Sequence, residues 1–213
     1  MKTRGYLILL LPLLFPIQRT CGQVNLKLSR QIDSLYAVDQ NAQLQIKKAL
    51  EAKVRFDSIQ KLQDIEQKIF SGHIPIIKEI IALHGYPSKN MVGKESFGHF
   101  FILIQHADAD PEFQSSILGI LEKLAAQDEI EKKQYAYLYD RVQRNTGKMQ
   151  LYGTQLSFDS KGNLFDSNDK IIIPTDLADP ENVDKRRNQM GLEPLEQYYQ
   201  KALKELGRPS KRD

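Results

Sequence analysis

Apolar residues recur at helical spacing along the first third of the chain. From Val24 to Phe70 they form a stripe on a polar background, and the stripe drifts near residues 56–58. Residues three or four apart share one face of a helix, so the pattern predicts a long helical region with a bend at 56–58. A coiled coil is the alternative, although no regular heptad persists. We assign residues 23–72 to this N-terminal helical region.

Glycine and proline positions divide the next part of the chain into shorter helices. Ser71-Gly72 is expected to stop the first region, and Pro75 to open a helix that ends at Gly85. Residues 95–107 form the most apolar helix. Asp110-Pro111 then opens another, with the aspartate as N-cap and the proline in the first turn. The same reasoning predicts a further helix that ends just before a glycine at position 147.

The pattern changes after that glycine. Residues 149–174 combine alternation, turn residues and a β-branched run, which predict a small antiparallel β-hairpin with its turn at 159–163. Asp179-Pro180 repeats the aspartate–proline helix start, and a last helix precedes a basic tail at residues 207–213. The sequence therefore predicts a mainly α fold with a small β-hairpin (α+β), the helical domain covering residues 73–206.

The first 22 residues have the pattern of an export signal. Two basic residues precede an apolar run at 6–17, and Gly22 offers a small residue for cleavage before Gln23. The run is shorter than the roughly 20 apolar residues that span a bilayer. An uncleaved anchor is one alternative, and a lipoprotein carried on Cys21 is another, which Arg19 disfavours. We expect an exported protein, periplasmic or extracellular, without a transmembrane span after cleavage.

Cleavage would change the charge balance and the chemistry that remains. The whole sequence has 30 Lys and Arg against 27 Asp and Glu, and the predicted cut removes three of the basic residues, which leaves the two signs equal. A nucleic-acid partner requires a basic surplus, so none is expected. The predicted cleavage also removes the single cysteine, Cys21. A disulfide framework, a thiolate metal site and a cysteine nucleophile are then excluded in the mature chain. No cofactor is indicated.

A first polar cluster follows the most apolar helix, where residues 100–114 read FFILIQHADADPEFQ. His106 in the last turn is a candidate general base; the plain alternative is a core-edge histidine bonded to a backbone carbonyl. Asp108 near a helix C-terminus suggests a cationic partner, whereas Asp110 is explained as a cap. These residue types also bind metals, but their spacing matches no metal motif and His99 is about 10 Å away along the axis. No metal site is predicted.

A second cluster lies between residues 137 and 155. Asp140 has the plain explanation of a surface ion pair four residues from an arginine, and Arg141 lies beside the apolar stripe of its helix, which favours partial burial. Gly153 sits in a predicted strand, where glycine costs stability unless backbone or ligand comes close. With Tyr152 and Gln155 beside it, the segment is a candidate binding site. A β-bulge with half-buried polar residues is the alternative.

A third cluster reads DPENVDKRRNQMGLEPL at residues 179–195. Asp184 and Arg187 are three residues apart and can pair on a solvated helix face. The sharper hypothesis is that Arg186 or Arg187 turns inward and binds an anionic group with two hydrogen bonds.

These blocks, in this order, resemble a bacterial family of domains of unknown function that is often secreted. The chain carries LIQHADAD, YDRVQ, QLYGTQ and DPENVDKRRNQMGLEPL, with DQNAQ from Asp39 and HGYPSKNMVG from His84 upstream, so the resemblance covers about residues 39–195. Where the family tends to have an arginine near Asp39, this chain has Gln43. The resemblance implies a mostly helical domain without an established activity. It points to nine motif residues: His106, Asp108, Asp140, Arg141, Tyr152, Gly153, Gln155, Asp184 and Arg187.

Our first functional hypothesis is a binding domain. A polar pocket forms where the hairpin meets the helix end at His106, and Arg141, Arg187 and Gln155 help to hold an anionic or peptide-like envelope ligand. The feature behind it is the gathering of polar side chains at the ends of elements. The second hypothesis is a structural or interaction protein whose long N-terminal helices mediate assembly, of unspecified oligomeric state.

The third hypothesis is a hydrolase-like enzyme. His106 acts as general base, Asp108 or Asp140 orients it, and Tyr152 or Arg141 stabilises negative charge. Both site hypotheses require that His106, Arg141 and Tyr152 line a single concavity, although they are far apart in the sequence.

Overall fold

The protein is described by a computed structural model that covers residues 24–157, 164–166 and 170–205. Within these residues eight α-helices follow one another, and a short 3₁₀ turn at Pro180–Asn182 precedes the seventh. Their bounds are α1 Leu26–Glu51, α2 Phe56–His84, α3 Lys89–Val92, α4 Lys94–Gln105, α5 Pro111–Ala126, α6 Lys132–Asn145, α7 Val183–Gln189 and α8 Leu195–Glu205. The predicted mainly α fold is confirmed.

Helices α1 and α2 form a long hairpin. The chain leaves helical geometry between them at residues 52–55, close to the predicted bend. The predicted stop at Ser71-Gly72 is wrong, because α2 continues through it with Pro75 inside the helix. Proline removes one helical hydrogen bond. The helix persists because residues on both sides of the proline, Ile74 and Ile77 among them, are buried in the core.

The main core lies between α1, α2, α4, α5 and α6, with five apolar side chains of α4 and α5 almost fully buried: Phe100, Leu103, Ile104, Ile117 and Leu121. From the hairpin it takes Leu28 and Ile32 of α1 and three isoleucines of α2, at positions 74, 77 and 80. Among the residues described, none between 36 and 73 belongs to this core. The hairpin therefore extends beyond it by about 24 Å, the length of 16 helical residues.

The β-hairpin expected at residues 149–174 is not supported. In the described part of this segment the backbone forms two isolated bridges, Gln150 with Leu177 and Phe165 with Ile171, and no sheet. The predicted turn at 159–163 lies outside the described residues. A ladder cannot form through 151–154 because the amides of this loop donate to the side chain of Asp140 instead.

A second, smaller core joins the C-terminal helices to the loops before them. Its buried residues are Leu164, Leu177, Val183, Leu195, Tyr199 and Ala202. The predicted helix cap at Asp110 is present, since its carboxylate accepts the Phe113 amide at 3.0 Å. The second aspartate–proline start behaves differently: Asp179 accepts from the side chain of Asn182 rather than from a backbone amide. No helix within the described ranges is long and apolar enough to cross a membrane.

Candidate functional site

His106 is held by a carboxylate that lies far away in the sequence. Helix α4 ends at Gln105, so His106 occupies its C-cap, and its Nδ1 lies 2.7 Å from Oδ2 of Asp39 in α1. The Asp39 side chain is fully buried, whereas that of His106 is 13 % exposed. An ionised carboxylate only accepts hydrogen bonds, so Nδ1 is the donor. In the neutral imidazole, Nε2 is then left with its lone pair.

The surroundings fix the imidazole in one orientation. The ring stacks on Phe70 at a centroid distance of 4.5 Å and an angle of 14°. The amide nitrogen of Gln43 lies 3.4 Å from Nε2, a long contact that a better donor can replace. The other oxygen of Asp39 accepts from Nε2 of Gln40 at 2.9 Å. The buried carboxylate is therefore satisfied on both oxygens, and the imidazole keeps one reactive nitrogen.

Two further titratable side chains of α2 flank this pair. Burial raises the pKa of Glu66 above its usual range, against the lowering influence of His106. Burial lowers the pKa of His73, which favours its neutral form, and its Nδ1 has no hydrogen-bond partner among the described residues. We call the six residues Asp39, Gln43, Glu66, Phe70, His73 and His106 the His106 cluster. It lies where the α1–α2 hairpin leaves the main core.

The cationic partner expected for Asp108 is Arg141. Nε and Nη2 of Arg141 donate to the two oxygens of Asp108 at 2.7 and 2.5 Å, and Asn145 and Gln114 add a hydrogen bond each. Burial raises the pKa of Asp108, but these bonds and the Arg141 charge outweigh it and leave the pKa below its usual value. Asp108 thus orients Arg141, and Asp39 takes the place next to His106 that was expected for Asp108 or Asp140.

Asp140 organises a loop instead of meeting the histidine. Its fully buried carboxylate accepts the backbone amides of Leu151, Tyr152 and Thr154 at 2.8, 3.1 and 2.8 Å, and the Thr154 hydroxyl at 3.0 Å. Burial raises the pKa of Asp140, and the hydrogen bonds oppose that rise. We call residues 150–155 the Asp140 loop. The surface ion pair expected with an arginine four residues away is absent from these contacts.

Two arginines of α7 close the other side of the Asp140 loop. Arg187 is fully buried and donates from Nε to the carbonyl of Glu193 and from Nη1 to that of Tyr152, both at 2.6 Å. Its guanidinium lies 5.0 Å from the ring centre of Tyr198, and burial lowers its pKa. Arg186 donates to the carbonyl of Leu151 at 2.7 Å. Both arginines turn inward as hypothesised, but they meet backbone carbonyls.

The remaining candidates of this region also have structural contacts. Gly153 has a φ of +63°, and a Cβ added there would lie 3.0 Å from Cδ1 of Leu195. The backbone amide of Gln155 donates to Oε1 of the Gln150 side chain at 2.9 Å. The carboxylate of Asp184 accepts a hydrogen bond from the backbone amide of Leu195, the first residue of α8, at 2.8 Å. The expected pair with Arg187 is not among its described contacts.

The predicted site residues thus fall into two groups. His106, Asp108 and Arg141 lie on the side of the His106 cluster, and the charges of His106 and Arg141 both act on Glu66. Of the other six, five belong to the Asp140 loop or bond to it, and Asp184 bonds to the first residue of α8. Tyr152 packs edge-on against Tyr139, which precedes Arg141 by two residues on α6 and so points about 200° away from it. The described contacts of Tyr152 are therefore on a different face of α6 from Arg141, and none of them joins it to His106.

Of the six members of the His106 cluster, only His106 was predicted as a site residue. Asp39 lies in the DQNAQ block, and an acidic residue on the buried side of an amphipathic helix requires a partner, which the sequence alone does not identify. Glu66, Phe70 and His73 are spaced by four and three residues, so they share one face of α2. That spacing was a usable signal.

Comparison with known proteins identifies the family but no relative of known function. The model of the family of unknown function DUF6624 matches residues 28–207. The curated proteins contain no match to the chain, and neither do the solved structures. Because the family model spans nearly all of the helical region and both groups of motif residues, the chain belongs to the family of unknown function DUF6624.

Proposed function

We propose that this chain is an exported binding protein and that the His106 cluster binds a peptide-like ligand. One observation carries the proposal. The partly exposed imidazole of His106 bonds through Nδ1 to the fully buried carboxylate of Asp39, and its Nε2 makes only the long contact with Gln43. Such an arrangement holds a hydrogen-bonding atom in a fixed direction before any ligand arrives, which reduces the entropy cost of binding. The export signal pattern supports a location outside the cytoplasm.

The charge balance supports a neutral or cationic ligand rather than the anionic one expected from the sequence. Asp39, Glu66 and Asp108 bring three carboxylates, whereas Arg141 is already bonded to one of them. Excess negative charge repels an anion and attracts an ammonium group or an amide N–H donor. When the Gln43 side chain moves away, Nε2 of His106 can accept a hydrogen bond from the ammonium or amide N–H group of the ligand.

The test follows the ring signals of two histidines by NMR on histidine-labelled protein. His99 is the matched control, because it too bonds a carboxylate of α1, Asp33, at 2.8 Å and stacks on an aromatic ring. The probes are three trialanine peptides that differ only in charge: acetylated and amidated (neutral), amidated only (cationic) and acetylated only (anionic). We expect the neutral or cationic peptide to shift the His106 signals and leave those of His99 unchanged.

Two results would contradict this proposal. Unchanged His106 signals at millimolar concentrations of all three peptides would leave the cluster as a device that joins α1 to α4, which is the structural hypothesis. A larger shift with the anionic peptide would reverse the charge argument. Signals are assigned by substituting each histidine with glutamine in turn.

A second candidate function is general-base catalysis of hydrolysis. The observation in its favour is the 2.7 Å bond between Asp39 and Nδ1 of His106, because a buried carboxylate in that position fixes the tautomer whose Nε2 can take a proton. Water would be the nucleophile: as its oxygen bonds to the carbonyl carbon of an ester or amide, Nε2 would accept its proton. The bond from that carbon to the alcohol or amine group then breaks, and the imidazolium returns the proton to the departing group.

The hydrolysis of p-nitrophenyl acetate tests this candidate. Loss of a positioned general base lowers a rate by about 10²–10⁴-fold, so His106→Gln should remove the protein-dependent rate and His99→Gln should not. Equal rates for the two variants would exclude catalysis of this ester by His106. The result is independent of the peptide titration, so binding and catalysis are judged separately.

A further inference from the structure

The end of the α1–α2 hairpin exposes three large apolar side chains around its turn. The exposed fraction is 56 % for Leu50, 40 % for Val54 and 70 % for Phe56. All three lie within seven consecutive positions, and the chain reverses direction between the first and the last of them. Single exposed apolar residues are ordinary on protein surfaces, but a contiguous group marks an interaction surface.

The same segment is strongly basic. We call residues 47–61 the hairpin tip. This segment has five exposed cationic side chains and two carboxylates, Glu51 and Asp57. The cations are Lys47, Lys48, Lys53, Arg55 and Lys61. The pair between Arg55 and Asp57 is 3.3 Å long with both side chains at least 71 % exposed, so water screens it. The tip is therefore an apolar centre surrounded by positive charge.

We propose that the hairpin tip docks on the surface of a membrane that contains anionic phospholipids. Phe56, with Leu50 and Val54, enters the boundary between headgroups and acyl chains, and the lysines bind lipid phosphates. Interfacial segments combine these two features, because apolar burial and attraction to anionic lipids add. The long lysine side chains keep their ammonium groups at headgroup level while their methylene chains cover apolar surface.

The backbone of the turn is compatible with this position. The amides of Ala52, Lys53 and Val54 donate to the carbonyls of Lys48, Leu50 and Ala49, each at 3.0 Å. Three consecutive N–H groups are thus already bonded inside the tip, so leaving bulk water does not strand them. The hairpin also projects beyond the main core, so the tip can meet a flat surface without interference from the body.

The positive charge of the hairpin tip favours an anionic bilayer over a second copy of the chain as its partner. Two tips placed face to face would bring ten cations together against four carboxylates, and like charges across an interface oppose association. An anionic bilayer presents the opposite sign over a wide area. Self-association is therefore the alternative outcome for the experiment below.

The absence of tryptophan from the chain allows a clean fluorescence test. Phe56→Trp places a single reporter at the tip, and Leu83→Trp is the matched control, because both native side chains are 70 % exposed and they occupy opposite ends of α2. Each variant of the full chain is mixed with vesicles of phosphatidylcholine alone or of phosphatidylcholine with phosphatidylglycerol. The N-terminal apolar segment is common to both variants and cannot produce a difference between them.

We expect a blue shift of the Phe56→Trp emission with phosphatidylglycerol vesicles only, and quenching by brominated lipid. The Leu83→Trp emission should stay unchanged. A shared response of the two reporters, or no response at the tip, overturns the proposal. A blue shift that grows with protein concentration in the absence of vesicles overturns it too and identifies the tip as a self-association surface.

The charge requirement is tested with two double variants. Lys47→Gln with Lys48→Gln should weaken vesicle binding about tenfold or more, since each lysine near an anionic surface contributes about fivefold. Lys148→Gln with Lys185→Gln removes the same charge from exposed positions elsewhere and should have little effect. Equal weakening by the two double variants would show a general charge effect and contradict docking through the tip.

Discussion

Arg187 and Tyr152 are 35 positions apart, and Nη1 of the first donates to the backbone carbonyl of the second at 2.6 Å. A fully buried cation is thus fixed on the main chain of the Asp140 loop. Asp140 holds the same loop from the opposite side, by its amides. The loop is therefore held between a buried anion on α6 and a buried cation on α7, which accounts for five of the nine motif residues: Asp140, Tyr152, Gly153, Gln155 and Arg187.

The first prediction concerns Arg187→Lys. A lysine cannot donate to the Glu193 and Tyr152 carbonyls in the geometry of the guanidinium, and two charge-assisted bonds are lost or distorted. We expect the free energy of unfolding to fall by about 2–4 kcal/mol, as measured by urea titration. Arg144→Lys is the control, because Arg144 makes its single carbonyl bond at an exposed position. Equal losses in both variants would contradict the role of Arg187.

The second prediction compares two glycines with positive φ. Gly153→Ala adds a Cβ at 3.0 Å from Leu195, whereas Gly147→Ala at φ +69° meets nothing within 4 Å. The left-handed conformation costs alanine about 1–2 kcal/mol at either site. Gly153→Ala should therefore lose more unfolding free energy than Gly147→Ala, by about 1–2 kcal/mol for the steric contact. Identical melting temperatures would mean that Leu195 moves aside freely.

The sequence predicts the fold correctly where residues close together in the chain determine the local structure. The cap at Asp110 and the apolar helix that follows Gly93 are set by residues next to one another, and both are present. The hairpin predicted at 149–174 is not supported, because the distant Asp140 takes the amides of the loop. The stop at Ser71-Gly72 was wrong because tertiary burial of the isoleucines around Pro75 overrides local helix preference.

The third prediction concerns the pair at the centre of the His106 cluster. Asp39→Asn removes a charge that is fully buried and bonded to an imidazole, so we expect a loss of about 1–3 kcal/mol in the free energy of unfolding. Asp33→Asn acts on the analogous pair with His99, but Asp33 is 44 % exposed, and the loss there should be below about 1 kcal/mol. A larger effect at Asp33 would refute the assignment of Asp39 as the buried anchor.

The fourth prediction is a pH dependence carried by Asp108. Its folded-state pKa lies below the usual value, so the stability it contributes is present above the ordinary pKa and is lost as the pH falls through the folded-state pKa. Asp108→Asn should be less stable than the wild type at about pH 7 by about 1–2 kcal/mol, and the difference should shrink towards about pH 2. Urea titrations at both pH values measure it. Asp57→Asn, at an exposed pair, should leave stability unchanged.

The candidate site was predicted only in part, for a physical reason. His106 and Asp108 are neighbours in sequence, so their chemistry could be recognised together. Asp39 lies 67 positions from His106, and only the packing of α1 on α4 brings them together. Residue types indicated which side chains could do chemistry; three-dimensional proximity decided which of them meet.

Pro75 also has a mechanical consequence. It leaves the carbonyl of Ser71 without its helical donor, and it follows Ile74, the first residue of α2 that belongs to the main core. From there to Phe56 the helix is a lever about 28 Å long, so a tilt of about 10° at the proline swings its far end by about 5 Å. A tilt of this size at the proline, two residues after His73, would move the hairpin tip by about the width of a helical turn.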